Sequence, residues 1–143
     1  MNVAQMLTPK VCTNYLLNTH TVRQGLEIMQ RHRYTVMPVL DENGLYLGCL
    51  SEGDLLRHLL TIGSARLQDL EKEKVDALYR TDLAKPLNML STMQEVTTAV
   101  LQQNFVPIID DRGFFCGLVT RRNYIECLAP YAYGFSGNSG DPA

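Results

Sequence analysis

The chain has 143 residues, 45% hydrophobic and 20% charged, a balance that suits one folded soluble unit with a real core and excludes a chain disordered throughout. Its net charge of −2 gives no general attraction to nucleic acid or anionic membrane, so any phosphate site must be local. Four scattered cysteines (Cys12, Cys49, Cys116, Cys127) lack zinc or redox spacing and read as small core residues of a reducing compartment.

No basic leader followed by an apolar stretch opens the sequence and no run reaches membrane-spanning length, so the expected location is cytoplasmic. A short strand is expected around residues 11–16. Thr21-Val22-Arg23-Gln24 then has the form of a capping box, and Val22, Leu26 and Met29 follow at helical spacing. The basic run Arg31-His32-Arg33 reads as the solvated end of that helix. Residues 34–40 form a strand, Asp41-Glu42-Asn43-Gly44 a hairpin turn, and residues 47–50 the returning strand. Ser51 stands at the N-cap of a second helix whose expected buried stripe is Leu55, Leu56, Leu59 and Leu60. Residues 64–79 read as a further helix, with Leu67, Leu70, Val75 and Leu78 inward.

The order then repeats. A short strand around residues 87–90 leads to the capping box Thr92-Met93-Gln94-Glu95 and a helix carrying Met93, Val96 and Val100. Strand 105–109, turn Asp110-Asp111-Arg112-Gly113, strand 115–119 and a helix capped by Thr120, with Ile125 and Leu128 inward, complete the second copy. Pro38, Asp41, Gly44, Gly48, Ser51 and Asp54 recur as Pro107, Asp110, Gly113, Gly117, Thr120 and Asn123, each pair 69 positions apart. The caps Thr21 and Thr92 lie 71 apart, so the second copy is two residues shorter between its helix and its central strand. The division is therefore residues 1–62, a helical connector 63–74, residues 75–130, and a Gly/Ser-rich tail 131–143 expected to be disordered at its end.

Tyr34-Thr-Val-Met-Pro-Val-Leu-Asp41 with Gly48-Cys-Leu-Ser-Glu-Gly-Asp54, and Phe105-Val-Pro-Ile-Ile-Asp110 with Gly117-Leu-Val-Thr-Arg-Arg-Asn123, resemble a tandem pair of CBS domains. The resemblance implies an α/β (α+β) fold of two repeats, each a small three-stranded sheet with two helices on one side, packed with pseudo-two-fold symmetry. It also implies two clefts that take adenosine-containing ligands such as AMP, ATP or S-adenosylmethionine. Lys10, Cys12, Tyr34, Thr35 and Thr120-Arg121-Arg122 are similar to the ligand-contacting segments of small stand-alone CBS proteins of the CbpB type, which bind cyclic di-AMP. CBS modules commonly pair through exposed helical faces, which implies a homodimer, and the narrower resemblance implies an enzyme partner bound in the ligand-free state, an alarmone synthetase being the candidate.

The residues themselves qualify this. Thr120 serves equally as a helix cap and as part of a phosphate cradle. Arg121 and Arg122 oppose the helix dipole, a conflict that a bound anion reverses. An amide at Asn123 suits a ribose with one free hydroxyl, as in a 3′,5′-cyclic dinucleotide, better than a diol clamp. Tyr34 either stacks on a base or packs a strand edge. In the second cleft Ser51, Asp54, Arg57, His58, Lys85 and Phe105 are the candidates, with Glu52 and Gly53 where the first cleft has its arginines; that site suits a simple nucleoside or nothing. No nucleophile motif or metal spacing joins the histidines, so the expectation is a non-catalytic sensor with no prosthetic group or metal. The rival is a dimeric adaptor with vestigial clefts.

Overall fold

A computed structural model of the chain describes residues 1–63 and 66–132. The first long helix of each half starts by the same local device. Thr21 Oγ1 accepts from Gln24 N (3.1 Å) while Gln24 Oε1 accepts from Thr21 N (2.9 Å), opening α2 over Val22–His32; a short helix α1, Val3–Met6, precedes it. Thr92 and Glu95 do the same at 3.1 and 2.8 Å, for a helix over Met93–Gln102. Orphan amides at each helix start are thereby satisfied within four residues of sequence.

The hairpins are equally local. Asp41 Oδ1 accepts from Asn43 N and Leu45 N, both at 2.9 Å, and Asp110 Oδ1 accepts from Arg112 N and Phe114 N at the same distance. Gly44 and Gly113 take φ of 94° and 90°, which a side chain would resist.

In the first half, β2 (Leu16–Leu17) runs parallel to β3 (Val36–Leu40), which pairs antiparallel with β4 (Tyr46–Ser51); β4 feeds α3 (Glu52–Ile62). In the second, β5 (Leu87–Asn88), β6 (Phe105–Ile109) and β7 (Phe115–Thr120) repeat the pattern and lead into α6 (Arg121–Ala132), α4 being Leu67–Leu70 and α5 the helix at Met93–Gln102. The second sheet has four strands rather than three, because β1, Thr8–Pro9, pairs with β7 at Leu118 and Gly117. The first sheet has a one-residue counterpart in Arg80, whose N–H and C=O both bond Cys49 at 2.8 Å.

The repeated glycines permit these crossings. A Cβ on Gly117 would lie 2.2 Å from Thr8 O, and one on Gly48 would lie 2.3 Å from Arg80 O. Each lead-in segment presses on a return strand too closely for any side chain. Across the pseudo-two-fold the two hairpins also bond each other, Tyr46 N to Gly113 O and Phe115 N to Gly44 O at 3.0 Å, with the Tyr46 and Phe115 rings stacked at 6.3 Å.

Several expectations are corrected by the partner half. Only Leu16–Leu17 and Leu87–Asn88 pair as lead strands; Lys10–Cys12 is a 3-10 turn with Val11 91% exposed, leaving the rest of β3's edge free to wall a cleft. The connector is not one helix. After α4 its backbone is engaged by the first half, with Val22 N on Glu73 O (2.9 Å), Val75 N on His20 O (2.8 Å) and Asp76 N on Asn18 O (3.1 Å). Gly25 lets Val75 approach to within 3.2 Å of where a Cβ would be. Leu70 and Val75 thus join the first core, while Val3 and Met6 join the second. Leu55 and Leu59 pack inward, but Leu56, Leu60 (73% exposed) and Ile125 face out, because one turn of helix presents one narrow face to the sheet. Cys49 is buried and Cys12 exposed, so only the former is a core cysteine. The tail beyond residue 132 and Ser64 lie outside the described residues.

Gly117→Ala and Gly48→Ala are each expected to cost about 3 kcal/mol in urea unfolding, since the obstacle is backbone. Gly63→Ala, at φ 68° with nothing near its Cβ, should cost only about 1–2 kcal/mol.

Candidate functional site

The uncovered edge of β3, the α2–β3 junction, the segment after β1, the start of β6 and the end of β7 enclose a cavity of about 370 Å³. Val36, Met37, Pro38, Phe105 and Leu118 give it an apolar wall, and Thr8, Asn14, Thr35, Asn104 and Thr120 give it polar points. Both halves contribute. Tyr34 stands at the mouth, its ring stacked on His32 at 5.8 Å and its hydroxyl accepting from Asn14 Nδ2 at 3.3 Å.

Of the residues singled out on sequence for this cleft, Cys12, Tyr34, Thr35 and Thr120 line it. Phe105, grouped with the other cleft, lines this one too. Thr120 Oγ1 accepts from Asn123 N at 2.9 Å, and Asn123 Oδ1 accepts from Thr120 N and Thr8 Oγ1, both at 3.1 Å. Asn123 therefore fixes the helix start with its acceptor already engaged. Arg121 and Arg122 adjoin the cleft without lining it: Arg121 Nε donates to Val100 O at 2.8 Å, and Arg122, 86% exposed, pairs with Glu126 at 2.8 Å. Lys10 Nζ sits 5.5 Å from the Tyr15 ring, beside the Gly44 turn. Arg33 and Asn14 line the cavity and were not singled out, because their part depends on backbone direction and on a contact 20 positions away.

The pseudo-symmetric location is built differently. Asp54, 9% exposed, has Oδ2 on Ser51 N (3.0 Å) and Ser51 Oγ (2.8 Å), and Oδ1 on Arg57 Nη2 (2.7 Å) and Arg80 Nη1 (3.2 Å). Arg80 in turn holds Asp82 through two bonds of 3.0 Å. Burial pushes the Asp54 carboxyl up, but the hydrogen bonds from Ser51, Arg57 and Arg80 outweigh it and hold the group below the usual aspartate range. Arg80 is the counterpart of Thr8, the residue over the other crossing glycine, and its guanidinium meets Asp54 where the Thr8 hydroxyl meets Asn123. Gln103 adds a second closure, bonding Lys85 N (3.2 Å), Lys85 O (3.1 Å) and Phe105 O (3.0 Å). Lys85 lines a separate hollow beside α5, and His58 Nε2 lies 2.9 Å from Glu73, turned away from Asp54's ligands. Among the described residues no group of three or more metal-ligating side chains occurs, and no helix is long and apolar enough to cross a membrane.

The CBS domain family model matches residues 15–61. Those residues are a CBS domain. The whole chain has the fold of a CBS pair: it superposes on the crystal structure of CbpB in complex with c-di-AMP with TM-score 0.86 at 18% identity, covering 94% of this chain and 89% of that one. Listeria monocytogenes CbpB in complex with c-di-AMP gives 0.79 at 21% identity, covering 92% and 97%, and CBSX2 in complex with AMP gives 0.72 at 20%, covering 92% and 98%. In sequence the chain is 25% identical over 147 residues to CBSX1, a chloroplastic CBS domain-containing protein of Arabidopsis thaliana, covering 87% of this chain. It spans 62% of the length of that relative.

The Asp54 cluster yields a signed expectation. A carboxyl held below its ordinary value stabilises the fold above that value and loses the contribution as pH falls through its folded value. Asp54→Ala should cost about 1–3 kcal/mol at neutral pH, the partners being partly exposed, and the gap from the wild type in urea unfolding should close below about pH 4. A gap independent of pH would show that the carboxylate's charge contributes nothing.

Proposed function

We propose that this protein is a non-catalytic regulatory sensor that binds an adenine nucleotide, cyclic di-AMP foremost, in the cleft between its two halves. The observation that carries the reading is that cleft's composition: an apolar slot of about 370 Å³ with an aromatic at its mouth, opening beside the N-terminus of α6 and two arginines. A base fits the slot between Tyr34 and the Phe105 wall, and a phosphate reaches the α6 end, where Arg121 and Arg122 have only to exchange their present partners. Asn123 offers no free acceptor for a ribose diol, which favours a nucleotide whose 3′-oxygen is esterified. The CbpB complexes with c-di-AMP support the same choice, and the CBSX2 complex with AMP keeps AMP as the second candidate.

One ligand per chain belongs to this reading. At the other location Asp54 is saturated by Ser51, Arg57 and Arg80, and Gln103 pins the Lys85 segment. Homodimerisation through the exposed apolar residues Leu56, Leu60 and Ile125 of α3 and α6 fits it as well, as does a regulated protein partner in the cytoplasm. The ligand acts by preferring one state of the pair.

Calorimetry and thermal unfolding with cyclic di-AMP, AMP, ATP and S-adenosylmethionine test the proposal. A ligand at 100 times its Kd should add about 2.7 kcal/mol, at one molecule per chain. Tyr34→Ala should weaken it by about 1–3 kcal/mol through lost stacking. If none of the four shifts the unfolding midpoint, the protein is an adaptor. If AMP binds as tightly as cyclic di-AMP and changing both Arg121 and Arg122 to Ala has no effect, the choice of a cyclic dinucleotide fails.

A further inference from the structure

Helix α2 ends in a Schellman-type turn: Arg33 N donates to Gln30 O (3.3 Å), Tyr34 N to Met29 O (3.2 Å), and Arg33 itself takes φ 57°, ψ 35°. It is the one non-glycine residue with positive φ among the described residues. At the end of α3 the same left-handed cap is made by Gly63, the residue that does so without a Cβ penalty. The pseudo-symmetric helix α5 needs no left-handed residue, ending on extended Gln103. Neither helix capping nor the repeat architecture therefore calls for arginine at this point.

A cation near a helix C-terminus is favoured by the dipole, but Arg31 already supplies that, and it accounts for neither the unfavourable backbone nor the location. The location is the mouth of the cleft, where Arg33 lines the cavity beside Tyr34 and Thr35 and makes no ion pair among the described residues. Arg122, by contrast, is neutralised by Glu126, and Arg121 is tied to a carbonyl. Arg33 is the cavity-lining cation that has no competing anion to leave.

We propose that Arg33 is the phosphate-selecting residue of this cleft: the left-handed cap turns its side chain toward the bound nucleotide, and its guanidinium pairs with a phosphate oxygen, so that the site prefers nucleotides to the uncharged nucleoside. The inference rests on the adenine-nucleotide reading above and names a recognition residue within it. A guanidinium suits the task, since it offers two parallel donors and keeps its charge at any accessible pH.

The test compares wild type with Arg33→Gly, using adenosine, AMP and cyclic di-AMP as probes in calorimetry at low and high salt, and urea unfolding as the folding control. Arg33→Gly should unfold at the same or a higher urea concentration, because glycine relieves the backbone penalty. Its affinity for cyclic di-AMP and AMP should fall at least about tenfold with a shallower salt dependence, and its affinity for adenosine should stay within about twofold. If the wild type binds cyclic di-AMP and Arg33→Gly binds it equally well, or loses adenosine in the same proportion, the assignment is overturned while the site stands. If the wild type binds neither nucleotide, the site reading falls and the role of Arg33 with it.

Discussion

Two backbone carbonyls resting on two glycines organise this molecule. Thr8 O presses on Gly117 and Arg80 O on Gly48, at separations that leave no room for a Cβ, so the segment leading into each half is committed to the return strand of its neighbour. The consequences spread outward from those contacts. They bring residue 8 to residue 123 and residue 80 to residue 54, pairs far apart in sequence. They send Val3 and Met6 into the second core while the connector's Leu70 and Val75 join the first, so neither half completes its core from the contiguous stretch that carries its helices. The second core depends on a segment that precedes it by some eighty positions.

The same crossing explains why two halves with matched elements present unequal clefts. Equivalent positions over the glycines carry a short neutral side chain in one case and a long cation in the other, and the residues they meet differ in step. Asn123 is neutral and is satisfied by the Thr120 amide and the Thr8 hydroxyl, which demand no further charge. Asp54 is a nearly buried carboxylate, and such a group persists ionised only with cations and donors around it. Arg57 and Arg80 answer that demand from the space where a ligand would lie. A neutral hydrogen-bonded junction on one side and a carboxylate held by two arginines on the other are two outcomes of a single amide-for-carboxylate difference together with its partner.

What the sequence revealed divides by the range of the interaction responsible. The capping boxes at Thr21 and Thr92, the Asp41 and Asp110 turns, and the glycines at positive φ are settled within four residues, and all are where their spacing places them. The connector was misread as a helix because its backbone partners, His20 and Asn18, lie more than fifty positions earlier. Leu56 and Leu60 were assigned to a buried stripe since leucine spacing cannot say how wide a face the sheet will cover. At the site, Thr120 stands out from its place in the repeat, whereas Cys12, Tyr34 and Thr35 come from the family resemblance; all four line the cavity. The sign conflict between Arg121, Arg122 and the helix dipole was legible as well. Their present partners were not, for Glu126 is an ordinary i, i+4 neighbour and Val100 belongs to another helix. Arg33 passed as a solvated helix end because a left-handed backbone leaves no trace in composition when the residue is not glycine.

The two halves meet both at their hairpin tips and around the cleft. The hairpin tips are joined near the pseudo-two-fold by two hydrogen bonds of 3.0 Å and the Tyr46–Phe115 stack, and that contact involves no residue lining the cleft. The cleft's walls belong to different halves and are joined along one edge, where Thr8 pairs with Leu118 in the β1–β7 ladder and bonds Asn123. A guest touching both walls adds contacts between the halves, and its binding energy opposes their separation directly. A guest confined to one wall would have no preference between open and closed arrangements, however tightly it bound, and would shift nothing. Any coupling of a guest to the arrangement of the halves requires contact with both at once, which is why the origin of each lining residue matters more here than the volume they enclose.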